Sequence, residues 1–290
     1  MKLLTKFNLI LLVVFATGGL IISQIISSFL VSNAQREVLQ QAELMMASAT
    51  SVRDYTSSDL RPLLEQNPQH QQRFLPETVP AFGAITTFAK LRQKYPDYSY
   101  REATLNPTNP QNRATDWEAD VIRYLGDHRD EKQLSGQRPT PLGPSMYLAM
   151  PLVAGQACLG CHSTPEAAPR AMIATYGSNN GFGWKQDSVI GAQIVSVPMS
   201  VPLQKATQAF HILLAYLTVI FVVTLVVLDA AVYLIVILPL KRMADAADRV
   251  SKGETVSAPL PVKGKDEIAA VTESFNRMQQ SLIKAFKMLG

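Results

Sequence analysis

Cys158-Leu-Gly-Cys161-His162 is the stretch of this sequence whose residue types and spacing point most directly to a defined chemistry. Two thiols with two residues between them can add to the two vinyl groups of a haem, and a histidine directly after the second thiol can reach the iron from the same side. A disulfide, half of a zinc site and a redox dithiol compete for the same pattern. Zinc takes four protein ligands in a structural site, and no cysteine remains beyond these 2, while His70, His128 and His211 are scattered along the chain. A redox dithiol normally follows a strand and opens a helix, and nothing requires a histidine after it. The sequence therefore predicts one covalently attached haem c, with Cys158 and Cys161 as its thioethers and His162 as the proximal iron ligand.

The other face of the iron stays open. Met146 and Met150 precede the motif on one face of an expected strand, and Met172 follows it on an expected helix. A thioether ligand would raise the potential relative to two histidines, whereas methionines also serve as gap-filling core residues. His70 and His128 lie in polar surroundings and read as solvated. An empty or water-bound sixth position is compatible with the same residues, so no distal ligand is assigned.

The elements that must position this motif follow from charge and hydropathy. Of the 290 residues, 47% are hydrophobic and 17% charged, which excludes a disordered chain, and 2 cysteines exclude a disulfide-stapled scaffold. No charged side chain lies between Lys6 and Arg36, and Asp229 is the only one between Lys205 and Lys241. Both stretches exceed the ~20 apolar residues that cross a bilayer. The first is too long for the ~7–15-residue apolar core of a signal peptide cleaved after Ser32-Asn33-Ala34, so it reads as an uncleaved anchor. Residues 32–205 carry equal numbers of basic and acidic side chains, and the positive excess flanks the outer ends of the two spans. By the positive-inside rule, both termini are cytoplasmic and 32–205 lies across the inner membrane, in the periplasm. The basic residues orient a membrane protein and give no reason to expect nucleic acid. Four segments result: an N-terminal transmembrane helix (1–31), a periplasmic haem domain (32–205), a second transmembrane helix (206–238) and a cytoplasmic helical segment (239–290).

Within 32–205, the composition of 33–66 predicts a helix continuing out of the membrane, broken by Pro68, Pro76 and Pro80. Helices are expected at 81–94 and at 116–125, the latter capped by Thr115 or Asp116. Strands are expected at 145–153 and 189–197. The Asn106-Pro107 and Asn109-Pro110 steps mark turns. Val79-Pro-Ala-Phe82, Tyr98-Ser-Tyr-Arg-Glu102, Asn106-Pro-Thr-Asn-Pro110, Asp116-Trp-Glu118, the Cys158–His162 motif and Tyr176-Gly177 through Gly181-Phe-Gly-Trp184 together resemble a family of periplasmic c-type haem sensor domains with a PAS-like fold. The resemblance covers about residues 79–200. It implies an α+β domain: a five-stranded antiparallel sheet flanked by helices, haem on one face, and a HAMP domain with a signalling output downstream. Read by themselves, the remaining motif residues are turns (the Asn-Pro steps), positive-φ positions (the glycines) and core (Trp117 and Trp184).

Beyond Pro239, Met243, Ala247 and Val250 recur at 3-4 spacing up to a helix stop at Gly253. After a connector with Pro259 and Pro261, Asp266-Glu267 opens a second helix, along which Ile268, Val271, Phe275, Met278, Leu282 and Ala285 form a heptad seam. Two short helices, each with one apolar seam, require a second copy to bury it. The pattern resembles a HAMP domain, a dimeric parallel four-helix bundle. No Walker motif, nucleophile elbow or catalytic carboxylate pair is present, so an enzyme is not expected. Asp229, a carboxylate inside an apolar span, reads either as functional or as a protonated or snorkelling side chain. The expected protein is a homodimeric membrane sensor that passes a redox or diatomic-gas signal through HAMP to a separate cytoplasmic output. The competing expectation is a membrane-anchored electron-transfer cytochrome with a redox partner protein.

Overall fold

A computed structural model describes residues 3–69, 73–141, 143–252 and 258–289. The expectations for His70 and for the helix stop at Gly253 lie outside the described residues. The chain forms two compact units, Ser27–Ala209 and Met1–Ile26 with Phe210–Gly290.

In the first unit, helix α1 (Leu3–Tyr55) passes through a π-helical turn at Thr56–Leu60 into the short α2 (Arg61–Glu65). Helix α3 (Pro80–Lys94) opens with proline in its first turn, where the missing N–H has no intrahelical partner to lose. Helix α4 (Asp116–Asp127) is capped at Thr115: Glu118 reaches back to accept from the Thr115 N–H at 2.8 Å and from its hydroxyl at 2.9 Å. Strands β1 (Ser99–Thr104), β2 (Leu134–Thr140), β3 (Gly143–Val153) and β4 (Val189–Pro198) form an antiparallel sheet in the order β1-β4-β3-β2.

Alternation along the strands sends side chains to opposite faces. Tyr100, Met146, Leu148, Val195 and Val197 pack on one face with Val38, Ala42, Met46 and Ala49 of α1 and with Ala84 and Phe88 of α3. Ala103, Ala149, Ala192 and Ile194 pack on the other with Val121, Ile122 and Leu125 of α4. Each fully buried side chain of the Leu148 or Leu125 kind contributes about 2 kcal/mol of burial free energy. Into the first core runs a polar cluster. Arg53 of α1 pairs with the buried Glu102 carboxylate, and the Tyr100 hydroxyl donates to Glu102 Oε1 at 2.7 Å and lies 3.0 Å from the Gln193 side-chain amide. On the opposite face Tyr147 covers Gly136 of β2, Trp117 packs on Tyr147 at 5.5 Å between ring centroids, and the Arg138 guanidinium lies 4.2 Å above the Trp117 ring.

The sheet has four strands among the described residues, where the resemblance implies five. After β1 the chain turns through a 3₁₀ segment at Pro110–Asn112, and Arg113 makes only an isolated parallel bridge to Thr104. Pro107 and Pro110 have no N–H to give to a ladder, which keeps this stretch out of the sheet.

In the second unit, two apolar helices are long enough to cross a membrane: the N-terminal part of α1 and α7 (Ser200–Val232). A π-helical turn at Tyr233–Ile237 joins α7 to α8 (Leu238–Ser251), and α9 (Glu267–Leu289) follows the connector. Met243 near the start of α8 meets Thr272 near the start of α9, while Val250 and Ser251 at its end share a groove with Gln279 and Leu282. The two helices are therefore parallel. Asn276 of α9 holds the connector, donating to Leu260 O and accepting from Leu260 N, both at 2.9 Å.

Candidate functional site

Strand β3 ends at Val153, and α5 (Gln156–His162) follows at once, carrying the whole Cys158–His162 motif. At about 100° per residue, the side chains of Cys158, Cys161 and His162 fall within an arc of about 100° on one side of this helix. Both thiols are free and half-exposed. A strand leading into a helix is also the setting of redox dithiols, so the placement of the motif does not separate the two chemistries. Burial pushes the Cys161 thiol up, against the opposing pull of the Arg61 guanidinium.

His162 is held from three sides. Its Nδ1 lies 2.7 Å from the Gly181 carbonyl, an acceptor only, so Nδ1 carries the proton and Nε2 keeps its lone pair. Thr108 Oγ1 stands 3.3 Å from the same nitrogen. Trp184 stacks on the imidazole at 3.9 Å between centroids and 14° between planes. Burial lowers the proton affinity of the ring, offset in part by the Gly181 carbonyl, which favours the neutral, ligand-competent imidazole.

The loop behind His162 is tied down through its backbone. Trp184 N–H donates to His162 O at 3.2 Å and Gly183 N–H to Ser163 O at 3.0 Å. Gly181 N–H donates to Asn106 Oδ1 at 3.2 Å. Gly181 has φ of 83°, and a Cβ there would stand 2.0 Å from Thr108 Oγ1 and 2.8 Å from Thr108 N, so a side chain is excluded by both conformation and space. Asn106, Thr108, Gly181 and Trp184 thus form the support of His162. Read as turns, positive-φ glycine and core, these residues gave no hint of convergence, and Trp184 is a half-exposed stacking partner. The available signal was their grouping in two short stretches, one of them within about 20 residues of the motif.

The other sequence candidates lie elsewhere in the fold. Met146 belongs to the α1-facing core, Met150 packs against it, and Met172 is buried on α6 (Arg170–Tyr176). His128 caps the end of α4, with Nδ1 2.9 Å from Tyr124 O and its ring stacked on Tyr124. His211 is exposed on α7. None of these gives a reason to name a distal ligand. Two adjacent thiols and a neutral imidazole with Nε2 free are the donors that a covalently held haem uses, so the residues present fit the group that the motif implies.

An input unit between two apolar helices, followed by two short parallel helices beyond the second, has the organisation of a membrane signal transducer. The chain belongs to the Tll0287-like family, whose model matches residues 31–198, and a HAMP domain matches residues 232–284. Among solved structures, the chain is similar to the cyanobacterial heme-protein Tll0287, with 13% sequence identity over 56% of this chain and 95% of that one and a TM-score of 0.44. No curated protein matches it.

Proposed function

We propose that this protein is a membrane-anchored c-type haem sensor of the inner membrane that relays a redox or diatomic-gas signal through its HAMP helices to a cytoplasmic signalling partner. Cys158 and Cys161 would hold the haem as thioethers and His162 would hold its iron through Nε2. The group would supply a reversible one-electron couple and a place for a diatomic ligand, while Gly181 and Trp184 fix the imidazole that holds it. The observation that carries the reading is the Nδ1–Gly181 bond on a helix that also presents both thiols, in a chain that continues into HAMP. In this reading α1 and α7 span the bilayer, the haem unit is periplasmic, both termini are cytoplasmic, and two copies pair through the exposed side of α8 and α9. The chain itself carries no catalytic role.

Two experiments test it. Cys158→Ala with Cys161→Ala removes the haem stain that survives denaturing electrophoresis, and a stain that persists ends the covalent assignment. Fusing the chain to a HAMP-coupled kinase output gives activity that changes with reductant, oxidant, CO or NO. A dimeric, haem-loaded fusion that ignores all four replaces the sensor by a membrane-anchored electron-transfer cytochrome.

A further inference from the structure

Thr108 lies in the loop between β1 and the 3₁₀ segment, and the chain on both sides of it is pinned. Asn106 Oδ1 accepts from the Gly181 N–H at 3.2 Å, and Asn109 Oδ1 accepts from the Gln111 N–H at 3.1 Å. Pro107, directly before Thr108, is buried. Thr108 fills the space that a side chain at position 181 would need: a Cβ on Gly181 would stand 2.0 Å from Thr108 Oγ1 and 2.9 Å from Thr108 Cα. The glycine thus admits the hydroxyl, and two oxygens face one nitrogen: Thr108 Oγ1 lies 3.3 Å and the Gly181 carbonyl 2.7 Å from His162 Nδ1. The carbonyl can only accept, so the hydrogen belongs to Nδ1. With the hydrogen there, the Thr108 oxygen also accepts at this nitrogen, as the longer arm of a three-centre hydrogen bond. The ring cannot turn away from either arm, because Trp184 stacks on it at 3.9 Å and 14° and fixes its plane. An acceptor at one nitrogen of an imidazole raises the basicity of the other. Two acceptors therefore act on Nε2, whose lone pair is free.

We infer that Thr108 is a positioning residue for iron ligation: its hydroxyl oxygen shares the His162 Nδ1–H with the Gly181 carbonyl and increases the electron density that Nε2 offers. The inference rests on the reading of His162 as the proximal ligand of a haem. A more basic axial nitrogen favours ferric over ferrous iron, and hydrogen bonding behind the ligand is one of the protein's levers on the potential. Thr108 therefore holds the reduction potential below the value that the Gly181 carbonyl alone would set.

Thr108→Val keeps the shape of the side chain and removes the oxygen, whereas Thr108→Ser keeps the oxygen. In the full-length, haem-loaded protein, spectroelectrochemical titration is expected to give a higher potential for Thr108→Val and a near-native one for Thr108→Ser. A residue that only fills space gives the reverse order, with Thr108→Val native and Thr108→Ser, which lacks the methyl, displaced. That result overturns the inference, and so does one potential shared by all three proteins. Where Thr108→Val does not fold, Thr108→Ala takes its place, with the same rise expected. The haem reading fails separately, when the native protein carries no stain through denaturing electrophoresis. Nitrogen-15 NMR of the haem-free full chain then decides the inference. The His162 Nδ1–H signal is expected to move in Thr108→Val and to hold in Thr108→Ser, and a signal that ignores Thr108→Val overturns it.

Discussion

The cradle around His162 and the face between α8 and α9 are built on opposite terms. His162 is fixed by a ring stack, a 2.7 Å hydrogen bond and a loop whose backbone is bonded on both sides. On the α8–α9 pair, Met243, Ala246, Ala269 and Thr272 are buried, yet Val271, Met278 and Leu282 of the expected seam stay exposed in a single copy. Ala247, Val250 and Phe275 line the same open groove. One region is complete within the chain; the other presents an apolar strip of the kind that a further helix pair covers. A unit that reads a stimulus needs one geometry. A unit that relays it needs two packings of similar energy.

Substitutions can break or sharpen this contrast. The largest effect belongs to Gly181→Ala, which combines a disallowed φ with overlap on Thr108 and should cost about 3 kcal/mol in the first unit. Denaturant unfolding measures it, and a cost near zero would show that the loop is not the rigid support described. Next comes Tyr100→Phe, which takes the hydroxyl from Glu102 and Gln193 and should cost about 1.5 kcal/mol. Burial raises the Tyr100 proton affinity above its ordinary 10.0, with Glu102 acting in the same direction. The stability this group holds is complete below pH 10.0 and falls as the pH rises above it, because only the unfolded chain then releases the proton. Unfolding followed above that pH should show a steeper loss in the native protein than in Tyr100→Phe. Trp184→Ala should cost about 1 kcal/mol through the lost stack; on the proposed function it also shifts the haem spectrum and leaves the covalent stain in place. The smallest effect is expected on the other side of the comparison. Leu282→Ala, at an exposed seam position, should change the stability of one copy by less than about 0.5 kcal/mol while weakening self-association in sedimentation. A large loss of single-copy stability there would erase the contrast.

Much of this was legible before any coordinates. The helices at 81–94 and 116–125 and the strands at 145–153 and 189–197 agree with α3, α4, β3 and β4 to within a few residues, because long periodic or β-branched runs are strong signals. β1 and β2 were not read from composition. Ser-Tyr-Arg-Glu-Ala-Thr and Leu-Ser-Gly-Gln-Arg-Pro-Thr each have a single β-branched residue, the terminal threonine, and their places in the sheet depend on tertiary partners: Glu102 on Arg53, 49 positions away, and Gly136 on Tyr147 across the hairpin. Cys158, Cys161 and His162 stood out as candidates from their spacing. Their support did not, since Asn106 and Gly181 are 75 positions apart and meet only in the folded loop. The heptad seam was read correctly as apolar, but the surface facing α8 within one chain is the adjacent row of Ala269 and Thr272.

Strand β2 has a consequence for how copies of this protein avoid one another. It is the outermost strand of the sheet, and a free strand is a template on which a neighbouring chain can polymerise. Pro139 has no N–H to offer such a guest, and Arg138, drawn back over Trp117, sets a cation beside the margin. Tyr147 lies across Gly136 and fills the gap where a flat, glycine-weakened ribbon would invite slippage. Sheet-to-sheet growth is thereby discouraged at this margin, and encounters between copies are left to the helices.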